Sequence, residues 1–206
     1  MSGIKFIGIG TGSCGSSSFA EMIKNCGIEC VHEGKMDSFL PWGYSKEKIV
    51  NKLKVFKEKD SYGEVGLFFL PYVTTFLAEI PDIKVLCLKR DRSKTIRTMA
   101  HTSLRSNPFS LNYENVWEKS GLGWDLSYPK YSFSDEKTIE EVAGEFYDSY
   151  YYKSSILERL FPGRVKIFDI EKINTNRGQD EIYNFIGIPK ENRNYKKFVK
   201  NVHFAK

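Results

Sequence analysis

A chain of 206 residues, 41% apolar and 28% charged, has the makeup of one ordinary globular domain spanning 1–206. Its formal net charge of +5 is too mild, and its aromatic and basic residues too little interleaved, to mark a nucleic-acid binder. The longest apolar stretch, Val65 to Val73, is too short to span a bilayer, and the opening MSGIKFIGIG lacks the basic and apolar regions of a secretory signal.

Strand-like and helix-like segments alternate along the chain. Ile4 to Ile9 is a β-prone run. Phe19, Met22, Ile23 and Cys26 then recur at helical spacing, with Gly27 placed as a C-cap glycine. Ile28 to Val31 predicts a second strand ending at His32-Glu33-Gly34. Ile49, Leu53 and Phe56 predict a helix over 45–58, Glu64 to Phe69 a third strand and Pro71 to Glu79 a helix. Ile83 to Leu88, IKVLCL, is apolar at nearly every position, as a central parallel strand is. Asp91 is placed to cap a helix running to about Leu104.

Residues 106–133 break this rhythm with Gly, Pro, Ser, Asn and many aromatics, the composition expected of a functional lid. Trp117, Trp124, Tyr113, Tyr128 and Tyr131 are candidates either to stack on an acceptor or to fill a small satellite core. A long helix over about 135–160 follows, with Ile139, Val142, Ala143, Phe146, Tyr150, Leu157 and Leu160 on one face. Tyr147, Tyr150, Tyr151 and Tyr152 are read there as packing residues. Val165 to Phe168 predicts a strand and Asp180 to Ile186 a short helix.

The alternation predicts a doubly wound α/β sheet, mainly parallel, with helices on both faces in three layers. Ligands of such sheets collect at the carboxyl ends of the strands, so the loops that begin at Gly10, His32 and Lys89 should line one crevice. Cys14, Cys26, Cys30 and Cys87 form no CxxC pair and no Cys/His cluster of zinc spacing, and Ser2 stands where a myristoylated glycine would be. A reduced, cytoplasmic protein with no metal, no membrane segment and no nucleic-acid partner is expected.

The first of those loops is the informative one. In GIGTGSCGSSSFAEMIKNCG, residues 8–27, the run Gly10-Thr11-Gly12-Ser13-Cys14-Gly15 reads literally as GxGxxG between a strand and a helix. Glu33 then sits where a dinucleotide site keeps its ribose-binding acid, so an NAD-dependent oxidoreductase is one reading. Bulky Phe19 near the helix–sheet contact and the surplus hydroxyls of Ser16, Ser17 and Ser18 count against it. A nucleoside triphosphatase loop needs Gly-Lys-Ser/Thr, and here Ser16 follows Gly15 with no lysine before Lys24. A third reading is a metal-free cradle of amides and hydroxyls for a 5′-phosphate at a helix N-terminus. The bland alternative is a glycine turn before a helix with a serine N-cap.

Beside KVLCLKRDRSKTIRTMAHTS, the loop resembles that of the sulfotransferase family that uses 3′-phosphoadenosine 5′-phosphosulfate as sulfuryl donor. Members pair a 5′-phosphosulfate loop, often ending Ser-Gly-Thr-Thr, with a later strand that ends in arginine and a hydroxyl residue eight positions on. Cys14-Gly15-Ser16-Ser17 resembles the loop, and Arg90 with Thr98 resembles the 3′-phosphate site. RLFPGRVKIFDIEKI followed by IYNFIGIP is similar to the family's C-terminal strand and helix. The resemblance touches most of the chain except 106–133 and implies a P-loop nucleotide-hydrolase-like fold. It also implies that Gly12, Ser13, Cys14, Gly15, Ser16, Ser17, Ser18, Arg90 and Thr98 bind the donor without a metal. The acceptor would be a hydroxyl or amine of a small molecule or carbohydrate.

Helical spacing gives the second site a sense of its own. Ile96, Met99, Ala100 and Ser103 share one face, and Lys94, Arg97, Thr98, His101 and Arg105 lie opposite. Sulfuryl transfer needs a base at the acceptor and positive charge at the leaving phosphate. Glu33 and His32 are the candidate bases; branches of the family use a carboxylate or a histidine in this region. Neighbours on an extended segment point oppositely, so one of the two is expected to face the site, with Glu33 favoured.

Many members carry lysine or arginine where this chain has Ser13. A serine donates a hydrogen bond but supplies no charge, so Lys35, Lys89 or Arg92 is the candidate substitute. The departure also leaves open a nucleotide binder without turnover.

Overall fold

The structure is a computed structural model that describes residues 3–33, 46–106 and 137–196. Its frame is a five-stranded sheet in the order β2-β3-β1-β4-β5. The strands are β1 (Lys5–Ile9), β2 (Glu29–His32), β3 (Tyr62–Val65), β4 (Lys84–Lys89) and β5 (Val165–Asp169). Every neighbouring pair is parallel, so the sheet is wholly rather than mainly parallel. Six helices are described: α1 (Ser16–Lys24), α2 (Lys46–Glu58), α3 (Val73–Glu79), α4 (Arg92–Ser106), α5 (Ile139–Leu160) and α6 (Asn176–Ile186).

Period-two alternation divides the core into two layers. Ile7, Ile9, Val85, Cys87 and Val165 meet side chains of α2, α3, α4 and α5 on one face. Phe6, Leu86, Leu88 and Phe168 meet α1 and α6 on the other. Connection handedness explains this division. The chain moves one way across the sheet from β1 to β2 and the opposite way in each later crossover. Crossovers of one hand therefore put α1 on its own face and α2 to α5 on the other, with α6 folding back beside α1 after β5. Because β1 and β4 are neighbours whose following helices diverge to opposite faces, their carboxyl ends frame a crevice.

Several boundaries differ from the sequence expectation. The third strand is Tyr62–Val65, and Leu67–Tyr72 forms a tight 3-10 turn instead of extending it to Phe69. An apolar run such as LFFL is compatible with a strand or a buried turn, and Pro71 inside it ends any strand ladder. Helix α3 accordingly starts at Val73. Helix α5 begins at Ile139 because Thr138 and Glu141 form a reciprocal capping box. Helix α6 starts at Asn176, four residues earlier than expected, capped by the Thr175 side chain, which accepts from the Gly178 amide. Leu160, assigned to the buried face of α5, is 65% exposed at the helix end.

Lys52 from α2 and Tyr62 both hydrogen-bond the fully buried Glu64 of β3. Among the described residues no helix is long and apolar enough to cross a membrane. The aromatic-rich stretch from 107 to 133 lies outside the described residues.

Candidate functional site

The turn after β1 is curled tightly. Gly12, Ser13 and Gly15 all have positive φ, at 74°, 50° and 81°. Two of its glycines are sterically required. A Cβ on Gly10 would lie 2.5 Å from Cys14 Sγ and 2.8 Å from the Leu88 carbonyl oxygen; one on Gly15 would lie 2.6 Å from Ile170. Cys14 fills the underside of the turn. Its burial pushes the thiol up to about 11, so it packs rather than reacts.

Helix α1 then starts with Gly15 as N-cap, in the left-handed region and with no side-chain cap. The serine N-cap considered in the sequence reading does not form. A helix start left in this state offers amide donors and the positive end of the helix dipole to an external anion. Of the expected ligand set, Cys14 and Ser18 are buried, at 1% and 5% exposure. Ser13, Ser16 and Ser17 are half-buried.

Arg90 follows β4 directly. Its Nη1 donates to the Ser13 carbonyl at 3.0 Å, so residues far apart in sequence meet across the crevice. Thr98 lies two turns into α4, half-exposed, with its hydroxyl donating to the Lys94 carbonyl at 2.8 Å. The two faces of α4 follow the sequence spacing: Ile96, Met99 and Ala100 are buried, whereas Lys94 and Arg97 are exposed.

Of the three cations weighed as substitutes for a basic residue at 13, Lys35 lies outside the described residues. Arg92 is engaged elsewhere, its Nε and Nη2 donating to Asp148 at 2.9 and 2.8 Å in a bidentate pair. That pairing holds the Asp148 carboxyl below its usual range. Lys89 remains, its Nζ 5.4 Å from the centroid of the Tyr151 ring.

His32 ends β2, two strands away from β1, and Glu33 follows it directly. Helix α1 closes that gap, because its first turn returns over β2. Ser16 Oγ lies 2.8 Å from His32 Nε2, and Ser17 Oγ lies 3.3 Å from the same nitrogen and 3.4 Å from Nδ1. Glu33 leaves the strand at φ 47° while its amide donates to the Val65 carbonyl. Its carboxylate makes no hydrogen bond or ion pair among the described residues. The histidine is thus the neighbour joined to the loop serines, and Glu33 is turned away from the strand direction by its own backbone.

Strand order also decides between the phosphate-loop readings. In a dinucleotide-binding sheet the second strand adjoins the first, so its terminal acid reaches the ribose beside the glycine turn. Here β3 lies between β1 and β2. Two strand spacings, about 9.6 Å, separate Glu33's strand from the loop's. The dinucleotide reading fails on topology, although its motif is present. Phe19, fully buried and edge-on to Phe6 at 5.9 Å, fills the contact between α1 and the sheet.

The sequence spacing placed Tyr147, Tyr150, Tyr151 and Tyr152 in the α5 packing without assigning work to their hydroxyls. Tyr152 instead faces outward, 65% exposed, while the other three are buried. The Tyr150 hydroxyl accepts from the Gly10 amide at 2.9 Å and donates to the Leu67 carbonyl at 3.0 Å. Tyr151 donates to the Leu88 carbonyl at 2.7 Å and lies 3.4 Å from Thr11 Oγ1. Tyr147 donates to the Arg90 carbonyl at 2.6 Å. Burial raises all three well above the ordinary tyrosine value, Tyr147 to about 12, so each keeps its proton. The available signal was three tyrosines at i, i+3 and i+4 on a face that phenylalanine or leucine would fill equally well.

No protein-family model matches this sequence, and no curated protein matches it. Among solved structures, the chain is similar to a sulfotransferase domain from the curacin biosynthetic pathway. The two are 13% identical with a TM-score of 0.55, over 98% of this chain and 82% of that one. Neighbouring parallel strands β1 and β4, a glycine turn opening α1 and an arginine closing β4 are thus set in the α/β fold of a sulfotransferase domain.

Proposed function

We propose that the protein is a sulfotransferase that moves a sulfuryl group from 3′-phosphoadenosine 5′-phosphosulfate to a hydroxyl or amine of a small-molecule or carbohydrate acceptor. The observation that carries this reading is the contact between Arg90 and the Ser13 carbonyl, which joins the two expected halves of the donor site. In it, the amides of Gly12 to Ser18 and the hydroxyls of Ser16 and Ser17 take the 5′-phosphosulfate. The Arg90 guanidinium and Thr98 take the 3′-phosphate, the former through charge-assisted hydrogen bonds. Thr98 must release its bond to Lys94 to do so.

The acceptor oxygen or nitrogen attacks sulfur in line as the bond from sulfur to the bridging phosphate oxygen breaks. The electron pair stays on that oxygen, and the acceptor's proton passes to Glu33. His32, hydrogen-bonded to Ser16, holds the serine hydroxyls toward the phosphosulfate and is the alternative base. Lys89 offsets charge on the departing bisphosphate in place of a basic residue at 13. The chemistry calls for no metal. Four free, buried thiols support a reducing, cytoplasmic setting.

A labelled-sulfate assay over a broad acceptor panel tests the reading. Transfer that Arg90→Ala abolishes is expected. Donor binding through Arg90 with no transfer to any acceptor would favour a nucleotide-binding protein without turnover, the reading to which Ser13 points.

A further inference from the structure

The hydroxyls of α5 reach the ends of three strands from one rigid support. Tyr150 holds Gly10, the first residue of the glycine turn, and Leu67, just beyond β3. Tyr151 holds Leu88, inside the end of β4. Tyr147 holds the carbonyl of Arg90 itself. All three rings are buried, at 4%, 2% and 6% exposure for Tyr147, Tyr150 and Tyr151, and Tyr147 packs on Tyr151 with centroids 4.5 Å apart. Phenylalanine would preserve that packing, so the hydroxyls serve the strand ends.

We infer that Tyr147 and Tyr150 are positioning residues for the two halves of the nucleotide site, Tyr147 for the 3′-phosphate end and Tyr150 for the 5′-phosphosulfate end. The inference rests on the donor assignment above. Each acts through backbone: Tyr147 fixes the peptide from which the Arg90 side chain extends, and Tyr150 fixes the entry to the turn. Removing one hydroxyl should therefore damage recognition at one end of the nucleotide, whereas a general loosening of the fold would weaken both ends together.

Calorimetry with 3′-phosphoadenosine 5′-phosphate and with AMP, which lacks the 3′-phosphate, separates these outcomes. Tyr147→Phe should lower affinity for the bisphosphate about tenfold while AMP changes by less than about twofold, removing most of the preference between them. Tyr150→Phe should weaken AMP and the bisphosphate by a similar factor of about tenfold, while adenosine 3′-phosphate, which lacks the 5′-phosphate, changes by less than about twofold. An equal loss for all three nucleotides would overturn its positioning role. Exposed Tyr152→Phe is the control and should change none of them.

If Tyr147→Phe fails to fold, p-aminophenylalanine at 147, which keeps a donor, should retain the preference, and p-methylphenylalanine should lose it. An unchanged preference in the donor-less variants would overturn the positioning role. A wild-type protein that binds AMP and the bisphosphate equally would overturn the donor assignment, and this inference with it.

Discussion

Two helices open onto the crevice from neighbouring strands, and they begin in opposite ways. Helix α4 closes its own N-terminus: Asp91 Oδ1 accepts from the Lys94 amide at 2.9 Å, and Arg92 in the first turn is locked to Asp148. Helix α1 begins at a left-handed glycine with no side-chain cap and no acidic residue in its first turn. A capped start has spent its amide donors within the protein, whereas an uncapped one presents them outward. On the proposed donor assignment, the two phosphates of the nucleotide would meet different chemistry. The β1 side offers backbone amides and a helix dipole; the β4 side offers one guanidinium on a strand end.

Breaking the β4 side should have the largest effect. Arg90→Ala is expected to lower kcat/KM for labelled-sulfate transfer by at least about a hundredfold, since the proposed charge-assisted contact to the 3′-phosphate and the observed hold on the Ser13 carbonyl are lost together. Gly15→Val comes next, because it adds side-chain atoms beside Ile170 at a backbone with φ 81°. It should cost about 1–3 kcal/mol in urea unfolding and remove bisphosphate binding by calorimetry.

Asp91→Ala sharpens the contrast. Loss of that cap should cost about 1 kcal/mol of stability and leave nucleotide affinity unchanged, which equilibrium unfolding and calorimetry would show in parallel. Smallest is Ser13→Lys, which restores charge beside the leaving phosphate and should raise kcat several-fold, by roughly 1 kcal/mol of barrier, with little change in donor KM.

The sheet was legible where periodicity had one meaning. IKVLCL gave β4 to within a residue at each end, and the stripe Phe19, Met22, Ile23 gave α1, which ends at Lys24 with Asn25 as its C-cap, short of Cys26 and Gly27. It was ambiguous at Leu67–Tyr72, where an apolar run suits a strand and a tight turn alike. Gly10, Gly12 and Gly15 announced a turn, but not which molecule it served, because the GxGxxG pattern is shared by folds of different strand order. That order is a long-range property absent from any local window. The pairing of His32 with Ser16 was hidden for the same reason: it depends on α1 crossing back over β2. The tyrosine hydroxyls escaped because spacing reports which face a side chain occupies and not what its polar end meets.

Both halves of the comparison meet in one titration, calorimetry of the wild-type protein with 3′-phosphoadenosine 5′-phosphate, NAD and ATP in turn. Two anchors set around one nucleotide predict clear preference for the bisphosphate. Tighter binding of NAD or ATP, or no binding of the bisphosphate at all, would contradict the account.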